Sequence, residues 1–82
     1  MRVVIEIPHP DFKITVYDWN SKYLIKLETA MYEQTYKIRD SDVTGDDDIK
    51  QLVADEEFMK SVRERFISMS HSLGEALEKF NN

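Results

Sequence analysis

The chain has 82 residues, of which 41% are hydrophobic, with no cysteine and a net charge of -5. A chain of this length makes one domain with a thin core, and the hydrophobic content excludes disorder. The missing cysteines exclude a disulfide framework, a thiolate metal site and a thiol nucleophile. The acids interleaved with Lys13, Lys22, Lys26, Lys37 and Arg39 leave no basic stripe for nucleic acid.

The first segment, Met1-Arg2-Val3-Val4-Ile5-Glu6, is interrupted by charge too soon to read as a signal peptide. No apolar run approaches the ~20 residues of a membrane span. The expectation is a soluble cytoplasmic protein with neither a membrane nor a nucleic acid as partner. Period-2 alternation then predicts four strands, about Arg2–Ile7, Phe12–Trp19, Lys22–Thr29 and Tyr32–Arg39. The connections are Pro8-His9-Pro10-Asp11, Asn20-Ser21 and a tight turn at Ala30-Met31. Prolines suit the first, and Asn suits positive φ in the second. Ala30-Met31 is poor turn chemistry.

Antiparallel pairing about these turns sets Val16 against Ile25, Ile14 against Leu27, and Ile25 against Tyr36. It also sets Ile7 against Phe12, Ile5 against Ile14 and Val3 against Val16. All three turns deliver apolar residues to one face, so the sequence predicts a meander in order 1-2-3-4. The other face carries Arg2, Glu6, Lys13, Lys26 and Glu28, with Glu6 opposite Lys13. One corner of it gathers Val4, Tyr17, Leu24 and Trp19. A cluster with Tyr and Trp is a candidate contact surface.

Near residue 40 the period changes from two to three or four. Ile49, Leu52 and Val53 form one short stripe, opened by Thr44 as a cap and the acids Asp46, Asp47 and Asp48. Phe58, Met59, Val62, Phe66, Met69, Leu73, Leu77 and Phe80 form a second. The two differ in phase by about 130°, so the helix must break near Ala54-Asp55, with Asp55 as a new cap. The organisation is one α+β domain over residues 1–82. Strands occupy 1–39, an acidic turn 40–48, a short helix 46–54 and a C-terminal helix 55–80, packed on one sheet face.

A helix over 56–80 is roughly 36 Å long, against about 23 Å for a seven-residue strand. It either overhangs the sheet, with Leu73, Leu77 and Phe80 needing a partner, or kinks at Gly74 within Ser72-Leu73-Gly74-Glu75. Overhang predicts a homodimer and a kink permits a monomer. The homodimer is the favoured reading.

Three sets of residues invite chemistry. Asp40, Asp42, Thr44, Gly45 and Asp48 match the first positions of a calcium loop, but Gln51 stands where a bidentate Glu belongs. His9 sits beside Asp11 between prolines and reads as a solvated loop residue. His71 lies among Ser68, Ser70 and Ser72 without a nucleophile turn or oxyanion hole. With only Gly45 and Gly74, no phosphate loop exists. No cofactor is expected. The expectation is a non-enzymatic interaction protein with an unidentified protein partner. Its candidate residues are Val4, Tyr17, Trp19 and Leu24 on the sheet and Leu73, Leu77 and Phe80 on the helix. The alternative is a metal or small-ligand binder at loop 40–48, through Asp40, Asp42, Thr44 and Asp48.

Ile7-Pro8-His9-Pro10, Tyr23-Leu24-Ile25-Lys26-Leu27-Glu28 and Glu33-Gln34-Thr35-Tyr36-Lys37 together resemble small uncharacterised bacterial proteins of this length. The resemblance implies no activity, ligand or site.

Overall fold

Four seven-residue strands form an open antiparallel sheet in the order β1-β2-β3-β4. They are β1 (Arg2–Pro8), β2 (Lys13–Trp19), β3 (Lys22–Glu28) and β4 (Glu33–Arg39). A 3-10 turn at Asp40–Asp42 leads into α1 (Asp46–Ala54) and α2 (Glu56–Glu78). This computed structural model describes residues 1–81. The α+β fold is the one the alternation and its change of period predict.

Both tight turns follow from local chemistry. Asn20 and Ser21 take φ of 56° and 60°, the doubly left-handed pair that matches strand twist. Ala30 and Met31 need no positive φ, because Thr29 supplies the turn. Its hydroxyl accepts from the amides of Met31 and Tyr32 at 3.3 and 3.0 Å, and its own amide donates to the Tyr32 carbonyl at 2.8 Å. The registers of β2 on β3 and β3 on β4 are the expected ones, including Val16 opposite Ile25 and Ile25 opposite Tyr36.

The β1–β2 register differs from expectation. Ile7 faces Ile14 and Ile5 faces Val16, two residues along from the expected partners. The His9 ring stacks on Phe12 with centroids 4.4 Å apart, and the Asp11 amide donates to His9 Nδ1 at 3.1 Å. That closure holds Phe12 out of the strand, so pairing begins at Pro8 and Lys13. Glu6 accordingly faces Thr15, not Lys13. A slip of two leaves every side chain on its face. Between Val3 and Ile5 a bulge then shifts the register by one. It puts Val3 opposite Tyr17 on the outer face and turns Val4 in against the core.

The core lies between the sheet and both helices. Ile14, Val16, Ile25 and Leu27 meet Ile49 and Val53 of α1 and Met59, Val62 and Phe66 of α2. The break at Asp55 lets both stripes reach one sheet, and the Asp55 carboxylate accepts from the Phe58 amide at 2.9 Å. Thr44 is not the cap of α1. Gly45 holds that position at φ 151°, in a region that favours glycine. The Asp48 carboxylate reaches back to accept from the Thr44 amide and hydroxyl at 2.9 and 2.8 Å.

The helix α2 runs without interruption through Gly74, and its last turns do not fold back on the core, since Leu73 and Leu77 remain exposed. Its 23 residues span about 34 Å. The molecule measures 51 × 26 × 20 Å, with a radius of gyration of 14.9 Å. A compact chain of this length would have about 12 Å. The helix overhangs its sheet.

Candidate functional site

The overhang begins where the sheet ends. Val62 lies over Gln34, whose side-chain amide donates to the Val62 carbonyl at 2.9 Å. One turn on, Phe66 meets Phe12 at the lip of the β1–β2 loop, with centroids 5.7 Å apart. Met69, the next residue of the stripe, still packs at the edge of the core beside β4, and beyond it the stripe is uncovered. Met69 is half-buried, whereas Leu73, Leu77 and Phe80 are 45%, 49% and 84% exposed. A shallow groove of ≈ 530 Å³ between Tyr32, Met69 and Leu73 has Ser68, Ser72 and Ala76 along its side. Leu73 and Leu77 stand uncovered on the last turns of α2, which ends at Glu78 rather than at residue 80, and Phe80 stands uncovered just past it.

The outer-face cluster is present with one member changed. Tyr17 faces Leu24 across β2 and β3, both half-buried, and Trp19 is 51% exposed. Val3 takes the place expected for Val4 because of the bulge. Next to this corner, Lys26 Nζ bridges Glu33 and Glu28 at 3.2 and 3.9 Å. The Lys26 ammonium pKa is raised, chiefly by its hydrogen bond to Glu33 and then by the nearby Glu28 charge.

The acidic loop does not assemble its four candidate ligands. Asp42 turns back to accept from Arg39 at 3.1 and 3.3 Å. Asp48 is engaged by Thr44, whose amide and then hydroxyl hold its carboxyl below the usual carboxylate range. Among the described residues, no group of three or more His, Asp or Glu side chains is placed to hold a metal ion.

His9 is a packed loop residue, not a solvated one, as its stacking on Phe12 shows. It lies on the rim of a cleft of ≈ 680 Å³ floored by Ile7, Ile14, Val53 and Met59. The rest of the rim mixes Glu56 and Glu57 with Lys60 and Arg63, and Arg63 leans toward Asp11 at 3.6 Å. His71 is exposed on the overhang, as expected.

One cluster escapes the sequence reading. Arg2 faces Asp18 on the inner side, where the bulge places it, and donates to Asp18 at 2.8 Å and to both Asp46 oxygens at 3.1 Å. The Tyr23 hydroxyl donates to Asp46 Oδ1 at 2.7 Å. These bonds tie β1, β2 and β3 to the start of α1. The Arg2 and Tyr23 hydrogen bonds hold the Asp46 carboxyl below its usual range, and the Tyr23 phenol is pushed up, chiefly by its bond to Asp46. No local signal marks Arg2, because the one-residue bulge alone decides its face.

Among the described residues, no helix is long and apolar enough to cross a membrane. No family model, curated protein or solved structure matches the chain.

Proposed function

We propose that this chain is a small non-enzymatic interaction protein that works as a homodimer and presents the free end of α2 to a protein partner. The observation that carries the protein-partner part of this reading is the continuation of the stripe past the sheet, with Leu73, Leu77 and Phe80 uncovered, while the homodimer is supported by the regular, proline-free edge of β4. An isolated helical segment of a dozen residues is marginal in water. This one also carries Gly74 and the serines at 70 and 72, which have low helix propensity. A helix end so composed gains most from a surface that covers its apolar side. The charge of -5 supports a protein rather than a nucleic acid as that surface.

The test has two arms. Sedimentation equilibrium of the purified chain, up to ~100 µM, should give twice the 9.7 kDa chain mass; a monomer throughout would remove the homodimer. Amide hydrogen exchange reads the helix end. Residues 69–80 should exchange far faster than residues 58–66 in the purified protein and slow when a true partner is added. Protection of 69–80 equal to that of 58–66, at every concentration, would mean the end needs no partner.

A further inference from the structure

We infer that two copies join edge to edge through β4, antiparallel and centred on Tyr36, to make one continuous eight-stranded sheet. This rests on the homodimer reading and names its surface.

The two edges of the sheet are unlike. The β1 edge is blunted by the bulge beside Val4 and by Pro8, two devices that stop strands adding to an edge. The β4 edge, Glu33-Gln34-Thr35-Tyr36-Lys37-Ile38-Arg39, pairs with β3 over all seven residues without irregularity and contains no proline. Among the described residues, no strand neighbours its outer edge. Charges on an edge ordinarily keep copies apart. Here their order along the strand reverses that effect. The strand begins with an acid and ends with a base, and its centre is Tyr36.

Only one antiparallel self-register gives all seven residues a partner. It sets Glu33 against Arg39 of the second copy, twice over by symmetry. Thr35 then faces Lys37, Gln34 faces Ile38, and Tyr36 meets its own copy. Opposite charges face one another on the outer side, where Glu33 and Arg39 are exposed. Partners share a face, so the helical layers of both copies lie on the same side of the joint sheet.

The inner side is suited to such a neighbour. Tyr36 and Ile38 are only half-buried, as is Phe58, whose ring meets Tyr36 edge-on with centroids 5.4 Å apart. A second β4 would bring another Tyr36 against this aromatic pair. The polar groups on this side are already partnered, and Arg65 also donates to the Tyr36 hydroxyl, at 3.0 Å. Gln34 already donates to the Val62 carbonyl and accepts from the Tyr36 hydroxyl at 2.7 Å.

Glu33→Arg sets Arg against Arg39 in both symmetric pairs, and Arg39→Glu sets Glu against Glu33. Each variant alone should dimerise at least about tenfold more weakly, since like charges directly opposite oppose strand pairing. An equimolar mixture of the two restores both opposite-charge pairs and should recover the dimer mass in sedimentation equilibrium. Circular dichroism melts confirm that each variant is folded. Loss of the local pairs with Lys26 and Asp42 cannot produce this rescue. Recovery only on mixing supports the β4 interface. Variants that dimerise as the unaltered chain does would overturn β4 while leaving the homodimer standing, as would folded monomers that stay monomeric when mixed. A monomeric unaltered chain overturns both.

Discussion

A single residue decides what the amino-terminal strand contributes. Without the bulge at Val4, Arg2 would sit on the outer face; with it, Arg2 reaches Asp18 and Asp46 and joins Tyr23 in fixing α1 to the sheet. Because these contacts depress the Asp46 pKa, their stabilisation is present above the unfolded carboxyl value of about 3.9 and disappears as pH falls through the lower folded value. The variant Asp46→Asn should lower the urea midpoint at pH 7, and by clearly less at about pH 3, below the unfolded carboxyl value. An equal gap at both pH values would mean the carboxylate charge is not the cause. Core residues follow simpler rules. Val62→Ala, at a site with 0% exposure, should cost about 1–3 kcal/mol. The same truncation of Leu77, half uncovered on the same helix, should stay within about 0.5 kcal/mol in the monomer. Chemical denaturation of the two variants side by side measures both.

At the scale of elements, the sequence spoke most clearly where two constraints coincided. The break at Ala54-Asp55 followed from the phase mismatch of two stripes and from an Asp with acids behind it, and it is where α2 begins. Asp55→Ala should remove the bond to the Phe58 amide and cost about 1 kcal/mol, read as a fall in melting temperature; no change would mean that packing alone sets the break. The β1–β2 register was illegible for a physical reason. Side-chain alternation has a period of two, so a two-residue slip satisfies the same pattern. What decided it was the stacking of His9 on Phe12, a contact with no periodic signature. The Ala30-Met31 turn was legible in position but not in chemistry, because the stabilising group is the hydroxyl of Thr29 one residue earlier. The end of α1 nearest the loop shows the same limit. Thr44 looked like the cap, yet the bond runs from Thr44 to Asp48.

At the scale of the whole molecule, length arithmetic carried further than motif reading. A helix of ~34 Å cannot be covered by a sheet of ~23 Å, and the 51 Å extent shows the surplus. The acidic loop matches several positions of a calcium motif, yet its carboxylates do not converge, because Arg39 engages Asp42 and Thr44 engages Asp48. The helix end, Leu73, Leu77 and Phe80, was named from spacing alone and is where the structure leaves it. The outer cluster needed one exchange, Val3 for Val4.

The overhang has a further consequence for how long the chain survives. Chymotrypsin-like proteases cut after large apolar residues in segments that unfold locally, and such cleavage tracks the population of the opened form. Leu73 and Leu77 sit in the last turns of α2, and Phe80 just past its end, where no sheet lies beneath. Chymotrypsin should therefore trim the purified chain at these residues first and leave residues 1–69 intact, and a bound partner should abolish the trimming. First cuts inside the strands would sink the idea. Trimming at this stripe would then count the copies that stand alone against those that are engaged.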